Sequence, residues 1–179
     1  MIRVIGGSLK GRKIKTLKGL ATRPVLARVR EALFNVLGSV TGFRVLDLYA
    51  GTGAVGIEAV SRGAEHAVFV DSGLFQCRII RENLAALGIE GEIVRSDAVA
   101  AIVKLGRAQR LFDFVFADPP YEHGFGPTTV EAVHESSILA GGGVMALTVR
   151  KNDPMPGDVG SLKQVFNRSY GDTRVVMYR

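Results

Sequence analysis

The sequence has little that would support a disulfide framework, a metal centre or a membrane segment. Its one cysteine, Cys77, excludes an internal disulfide and a zinc site with four cysteine ligands. The three histidines, His66, His123 and His134, lack the spacing of metal ligands. No apolar run approaches the roughly 20 residues that cross a bilayer, and no apolar signal-peptide core follows the basic N-terminus. We therefore expect a cytoplasmic protein without a structural metal.

The first thirty positions contain no acidic residue. They carry nine Lys or Arg. Since the whole chain has a net charge of +6, the remaining residues have a net charge of −3. Such a concentration predicts an anionic polymer as partner, because cations that neutralise phosphates release counterions. A merely solvated surface is the alternative. The residues expected to contact nucleic acid are Arg3, Lys10, Arg12, Lys13, Arg23 and Arg28.

The basic stretch has a pattern of its own within residues 1–38. Glycine-containing turns separate two short β-compatible pieces, Arg3 to Ile5 and Arg12 to Ile14, which predicts a hairpin flap. A helix is predicted over Ala27 to Leu37, after an extended or turn element at Thr22-Arg23-Pro24. Its expected apolar stripe is Val29, Leu33, Val36 and Leu37, with Arg28 and Arg30 outside it.

The 179 residues, 47% of them hydrophobic, suffice for one globular domain and leave no room for a second. From residue 39 to residue 179, strand-like and helix-like segments alternate without repeats, which predicts a Rossmann-like α/β fold: a seven-stranded, mostly parallel sheet with helices on both faces. The strands are read at Arg44 to Leu48, Ala67 to Val70, Glu92 to Arg95, Phe112 to Ala117, Val144 to Val149, Gln164 to Tyr170 and Thr173 to Tyr178. The last two form an antiparallel hairpin at the sheet edge. The helices are read at Ala54 to Arg62, Leu74 to Leu87, Val99 to Gly106 and Thr128 to Glu135.

A glycine-rich turn follows the first core strand. Gly51, Gly53 and Gly56 form a GxGxxG pattern that leads into a helix, which is typical of a nucleotide-cofactor site. Asp71 ends the next strand, 20 residues after Gly51, where an acid that binds ribose is expected. Asp47 would repel the pyrophosphate of a dinucleotide but attract the ammonium group of S-adenosylmethionine. The pattern favours a cation-bearing cofactor, and a capping or turn acid is the alternative for Asp47.

Asp118-Pro119-Pro120-Tyr121 closes another apolar strand. The Asp118 carboxylate and the Pro119 carbonyl are acceptors for a planar amine, and neither proline has an N–H that would compete. Tyr121 offers a face on which a nucleobase can stack. The alternative is a Pro-Pro turn in which Asp118 is a solvated cap.

Together these motifs resemble class I S-adenosylmethionine-dependent methyltransferases, and more narrowly the bacterial RsmD-like family of 16S ribosomal RNA guanine-N2 methyltransferases. The resemblance covers nearly the whole chain. It rests on Arg3-Val-Ile-Gly-Gly7 with Lys10-Gly-Arg12, Arg23-Pro24 with Arg28 to Asn35, Leu46 to Gly53, Ser61 to Ala64, Asp118 to Tyr121 and Tyr170 to Thr173. Two positions depart from the family pattern: Val25-Leu26 follows Arg23-Pro24, and Arg150 stands where an acid is common.

The resemblance implies a role for each motif. Asp118, Pro119, Pro120 and Tyr121 would form the catalytic loop. S-adenosylmethionine, which leaves as S-adenosylhomocysteine, would lie against the cofactor residues. In this sequence those are Asp47, Tyr49, Gly51, Thr52, Gly53, Asp71, Ser96 and Asp97.

The resemblance further implies a monomer that methylates ribosomal RNA within a small-subunit assembly particle, with no metal. Two other functions stay open from the residues alone. One is methylation of adenine N6 in DNA or RNA, because the Asp-Pro-Pro-Tyr loop can hold any exocyclic amine. The other is a non-enzymatic RNA-binding assembly factor that keeps the fold.

Overall fold

A central β-sheet with helices on both faces forms the core of the computed structural model, which describes residues 2–16, 27–120 and 124–179. The strands are β1 Ile2–Arg3, β2 Lys13–Ile14, β3 Arg44–Leu48, β4 His66–Asp71, β5 Glu92–Arg95, β6 Phe112–Ala117, β7 Leu139–Arg150, β8 Asp158–Val159, β9 Leu162–Tyr170 and β10 Thr173–Tyr178. The helices are α1 Ala27–Leu37, α2 Ala54–Ser61, α3 Leu74–Leu87, α4 Ala98–Arg107 and α5 Phe125–Glu135. The predicted α/β architecture and its C-terminal antiparallel hairpin are confirmed.

The order of the strands places a crevice in the middle of the sheet. The order is β5-β4-β3-β6-β7-β10-β9-β8, with β3 to β7 parallel and the last three strands antiparallel. The chain moves outward from β3 to β5 and then returns to the other side of β3 to form β6. Ligands bind at such a reversal, beyond the carboxyl ends of the strands.

Two hydrophobic clusters cover the two faces of this sheet. Helices α1, α2 and α3 pack on one face, where Phe69, Phe114 and Phe116 are buried. Helices α4 and α5 pack on the other face, against Leu46, Val68 and the other strand residues whose side chains point to that face. Because successive strand residues point to opposite faces, this alternation fixes which face each strand-end side chain takes.

The predicted number of strands was wrong: the sheet has eight strands, not seven. The additional strand is β8, whose two residues pair with Leu162 and Lys163 of β9. A two-residue strand is too short to show alternation. The hairpin of β9 and β10 therefore lies beside the outermost strand rather than at the edge itself.

Several element boundaries differ from the prediction by one or two residues, and the starts of β7 and α5 differ by more. β7 begins at Leu139 instead of Val144, because pairing with β6 continues through a register shift opposite the glycines that precede Val144. α5 begins at Phe125 instead of Thr128 and contains Pro127 in its first turn. Proline is accommodated there since the first N–H groups of a helix have no intrahelical partner.

The apolar stripe of α1 also differs from the prediction. Val29 and Leu33 are buried as expected, but Val36 is 45% exposed. Arg30 is fully buried, and its Nη2 donates a hydrogen bond to the carbonyl oxygen of Arg3 at 2.7 Å. Arg30 therefore joins α1 to the N-terminal segment instead of facing solvent.

The predicted basic hairpin is confirmed as a small two-stranded antiparallel sheet of β1 and β2. It lies on the C-terminal half of α2. The buried carboxylate of Glu58 accepts hydrogen bonds from the backbone N–H groups of Ile5 and Gly6, at 2.8 and 2.7 Å. The hydroxyl of Ser61 donates to the carbonyl of Gly6 and accepts from the N–H of Leu9. Within the described ranges, no helix is both long enough and apolar enough to cross a membrane.

Candidate active site

Three carboxylates meet where the central parallel strands end. Asp47 lies within β3, Asp71 ends β4 and Asp118 directly follows β6. The strands are in register at this edge, since Leu48 pairs with both Val70 and Ala117. Alternation along each strand places all three acids on the face that carries α1, α2 and α3. The structure thus brings together the acids of the two predicted motifs, Asp47, Asp71 and Asp118.

Asp47 is almost completely buried, with 1% of its surface exposed. Its Oδ2 accepts a hydrogen bond of 2.9 Å from the N–H of Gly56, in the first turn of α2. Burial raises the pKa of this carboxyl to about 8, the Gly56 hydrogen bond opposes the rise, and the charges of Asp118 and Asp71 add to it. The residue caps a helix, as the alternative interpretation expected. A cation bound beside this carboxyl would favour its ionised form.

Two glycines of the GxGxxG pattern, one before α2 and one within it, have structural roles that favour glycine. Gly53 adopts φ 75° immediately before α2, in the left-handed region that favours glycine. A Cβ on Gly56 would lie 2.3 Å from a ring carbon of Phe69 on β4. The absence of that Cβ lets α2 approach the sheet, which directs the N-terminus of the helix into the crevice.

Asp71 fixes the loop from the neighbouring strand. Its Oδ2 accepts from the N–H of Gly51 at 2.8 Å, and its Oδ1 accepts from the N–H of Gly73 at 2.9 Å. Asp97 lies one strand further out and accepts from the N–H of Ala100 at 3.1 Å, so it caps α4. Ser96 precedes it, and its N–H donates to the carbonyl of Asp71. These residues line the same edge of the sheet.

Tyr49 and Thr52 lie in the loop but face different neighbours. Tyr49 has a φ of 54° and packs against the cluster on the α4 and α5 face, where its hydroxyl lies 3.0 Å from the hydroxyl of Thr129. Thr52 is 7% exposed, and its carbonyl accepts a hydrogen bond from Asn83 at 3.0 Å. The loop is therefore supported from both sides of the sheet.

Asp118 is held by a neighbour that sequence reasoning missed. Thr148 on β7 donates its hydroxyl proton to Oδ1 of Asp118. Burial raises the pKa of Asp118 to about 6, and the Thr148 hydrogen bond opposes that rise. Pro119 is buried and Pro120 is exposed, while Tyr121 lies outside the described residues. The half-buried carboxylate thus stands at the crevice in a fixed orientation.

The arrangement provides two adjacent subsites. The glycine loop, Asp47 and Asp71 offer N–H groups and carboxylates to a nucleoside that carries positive charge, which fits the S-adenosylmethionine expected from the sequence. Asp118 and the Pro119 carbonyl offer acceptors to an amine next to it. In the described part of the chain, no three His, Cys, Asp or Glu side chains form a group that could hold a metal ion.

The predicted RNA-binding cations are partly engaged within the protein. Arg3 donates to the carbonyl of Gly11 at 2.8 Å, and Arg12 donates to the carbonyl of Ala86 at 3.0 Å. Lys10, Lys13 and Arg28 are exposed, and Arg23 lies outside the described residues. Hydrogen bonds to carbonyls leave the positive charges in place, so the segment keeps a basic surface.

Three buried polar residues were not singled out from the sequence: Glu58, Asn83 and Thr148. Each contacts a partner distant in the chain; Thr148, for example, lies 30 positions from Asp118. One signal was available for Asn83. It interrupts the apolar stripe of α3 beside Ile79, Ile80 and Leu84, and a polar residue in such a stripe usually has buried partners.

Comparison with known proteins finds relatives over nearly the whole chain. The family model described as "Conserved hypothetical protein 95" matches residues 2–179. The Bacillus subtilis (strain 168) protein YlbH, named as a candidate rRNA methyltransferase, is 35% identical over 99% of this chain and 98% of its own length. Ribosomal RNA small subunit methyltransferase D of Escherichia coli (strain K12) is 35% identical over 78% of this chain and 70% of its own.

The fold also has a solved relative. The structure of a hypothetical protein from Thermus thermophilus superimposes with a TM-score of 0.87 and 27% identity. The match covers 99% of this chain and 98% of that one. The likeness therefore includes the N-terminal segment as well as the sheet.

Proposed function

The chain belongs to the Conserved hypothetical protein 95 family, and from that premise we propose that it methylates the exocyclic N2 amine of a guanine in small-subunit ribosomal RNA, with S-adenosylmethionine as methyl donor. The observation that carries the proposal is the position of Asp118 beside the glycine loop. Strand β6, which Asp118 follows, pairs directly with β3, which leads into that loop. The names of the relatives support ribosomal RNA as the substrate.

S-adenosylmethionine supplies a methyl group that is activated by attachment to a positively charged sulfur. Asp47 attracts the positively charged end of this donor, and Asp71 accepts hydrogen bonds from its ribose. The N–H groups of the glycine loop approach it closely. Asp97 faces its adenine amine. Each of these residues lies at the edge where the strand ends meet.

The acceptor is held by the residues that follow β6. Asp118 and the Pro119 carbonyl accept hydrogen bonds from the two protons of the amine, which turns its lone pair toward the methyl group. Thr148 keeps Asp118 in the orientation that this requires. Holding the reacting atoms at about 3–3.5 Å supplies most of the acceleration. The methylated nitrogen is acidic, so Asp118 can take its proton transiently without being a strong base. The base itself stacks on the ring of Tyr121.

The test is transfer of labelled methyl from S-adenosylmethionine to unmodified small ribosomal subunits, naked ribosomal RNA and DNA in parallel. Digestion to nucleosides then identifies the product. N2-methylguanosine from a ribosomal substrate is the expected result. N6-methyladenine would assign the chain to amine methylation on adenine instead. Binding of RNA without any transfer would indicate an assembly factor.

A further inference from the structure

One buried side chain joins the basic N-terminal segment, residues 2–16, to the glycine loop. Asn83 of α3 is 1% exposed. Its Oδ1 accepts from the backbone N–H of Lys15 at 2.8 Å, and its Nδ2 donates to the carbonyl of Lys15 at 3.2 Å. The same Nδ2 donates to the carbonyl of Thr52 at 3.0 Å. The amide thus binds both backbone groups of Lys15 and the loop peptide between Gly51 and Gly53.

The other anchors of the segment do not reach the loop. Glu58 and Ser61 hold the backbone of Ile5, Gly6 and Leu9 on α2, at the end of the helix away from the crevice. Their hydrogen bonds fix the first part of the segment, whereas Asn83 fixes its exit. Asn83 is therefore a direct side-chain link between the segment and the loop.

We propose that Asn83 is a positioning residue that makes cofactor binding at the glycine loop and nucleic-acid binding at the basic segment cooperative. A cofactor that fixes the Thr52 peptide also fixes the Asn83 amide, and with it the backbone of Lys15. By linkage, a strand of RNA that orders the segment must favour the cofactor by the same factor. The effect of RNA on cofactor binding rests on the proposed function. The coupling of the glycine loop to the N-terminal segment through Asn83 does not.

The proposal is tested with a substitution outside the buried cluster. Lys15→Pro removes the N–H that Asn83 accepts, while Lys15→Ala keeps it, and both variants lose the ion pair with Glu82. The preceding residue, Ile14, lies in a strand, which suits a residue before proline. Comparison of these two variants therefore tests one hydrogen bond, and neither substitution opens a cavity in the core.

Hydrogen exchange reports the coupling without RNA. The amides of Val4 and Gly11 bond across the hairpin, to Arg12 and Val4 respectively. S-adenosylhomocysteine, used as the probe, is expected to slow their exchange in the wild type and in Lys15→Ala. It should slow it less in Lys15→Pro, in which Asn83 keeps only its hydrogen bond to the carbonyl of residue 15. Equal protection in all three proteins would overturn the proposal.

Affinity supplies the second readout. Asn83→Ala is expected to weaken S-adenosylhomocysteine binding about tenfold, since a buried hydrogen bond to the loop is lost. Ser61→Ala is expected to weaken RNA binding alone. Naked small-subunit ribosomal RNA should tighten S-adenosylhomocysteine binding by about fivefold or more in Lys15→Ala and by clearly less in Lys15→Pro.

The two readouts separate this proposal from the proposed function. If the wild type does not bind the RNA but the exchange difference is present, the substrate assignment fails and the coupling through Asn83 stands. If RNA tightens S-adenosylhomocysteine binding equally in Lys15→Pro and Lys15→Ala, the substrate assignment stands and the coupling fails.

Discussion

Thr148 on β7 and Asp118 at the end of β6 are side-by-side neighbours whose side chains share one hydrogen bond, with the hydroxyl as donor. The two strands are parallel neighbours, so the sheet pairing fixes the backbone on which these two side chains meet. The hydrogen bond stabilises the ionised form of Asp118. The carboxylate is thereby kept oriented and more acidic than burial alone would allow.

Replacing Thr148 by Val should move the pH dependence of methyl transfer. The wild-type rate is expected to rise through about pH 6 as Asp118 ionises. Without the hydroxyl, the pKa of Asp118 is higher, so the rising limb shifts to higher pH. Profiles of kcat/KM against pH measure the shift, with Thr128→Val, an exposed position on α5, as the control. Superimposable profiles for Thr148→Val and the wild type would contradict the role given to Thr148.

Alanine at Asp118 and alanine at Asp47 should have separable effects. Asp118→Ala is expected to reduce methyl transfer by about 100-fold or more, because the amine loses a charged acceptor, with little change in cofactor affinity. Asp47→Ala should weaken cofactor binding first. Calorimetric binding of S-adenosylhomocysteine and the transfer assay separate the two variants. Equal loss of both properties in both variants would refute the assignment of the subsites.

Cofactor affinity should itself depend on pH through Asp47. The free protein holds this carboxyl protonated below about pH 8, whereas a cation beside it favours the ionised form. Binding therefore releases a proton, and affinity rises as the pH increases toward about 8. Asp47→Asn removes this contribution and leaves any titration of the ligand itself. An unchanged pH dependence in Asp47→Asn would show that Asp47 does not meet the cation.

The same titration has an opposite effect on the unbound protein. The pKa of Asp47 is raised in the fold, so the folded state holds a proton that the unfolded chain has lost. Stability of the free protein consequently falls as the pH rises from about 4 to about 8 by this contribution. Cofactor binding should offset that fall, which thermal unfolding with and without S-adenosylhomocysteine measures.

Alanine at Gly56 should destabilise the fold. The added Cβ would lie 2.3 Å from the ring of Phe69, so α2 must shift away from the sheet. Overpacking of this kind costs about 1–3 kcal/mol. Gly141→Ala is the control, since a Cβ added at Gly141 would have no atom within 4 Å. The φ of Gly141 is also outside the left-handed region. Urea unfolding that gives the two variants equal stability would contradict the packing argument.

Charge reversal on the hairpin should weaken RNA binding and flatten its salt dependence. Lys10→Glu with Lys13→Glu changes two exposed cations, neither of which is in an ion pair in the described ranges. Each lost phosphate contact lowers the slope of log affinity against log salt by about 0.7–0.9. Lys104→Glu, on α4 at the other face of the sheet, should leave the slope unchanged. If the double variant has the same salt dependence of RNA affinity as the wild type, Lys10 and Lys13 do not contact phosphates and the hairpin is a solvated surface.

The sequence predicted the parts of the fold that depend on local pattern. The bounds of β3, β5, β6, β10, α1 and α3 match the prediction, because each element can be read from the local pattern of its own residues. β8 escaped prediction since two residues cannot show a period. Arg30 was misplaced because a helix pattern shows which side is apolar, but not which charged side chain a neighbouring segment will cover.

The candidate site divides in the same way. Asp47, Asp71 and Asp118 could be found because each stands at a strand end within a recognisable motif. Glu58 and Asn83 could not be placed, because their partners in the N-terminal segment lie 52 to 68 positions away in the chain. Such contacts depend on how helices pack over the N-terminal segment, which no window of the sequence contains.

The close packing of the hairpin on α2 limits how this protein can be re-engineered. A Cβ on Gly7 would lie 1.7 Å from the carbonyl oxygen of Ser61, so the segment fits its helix without spare room. Grafting the first sixteen residues onto another methyltransferase core would therefore transfer their charge but not their placement. A functional chimera would also have to import Glu58, Ser61 and Asn83, so segment and core are one exchangeable unit.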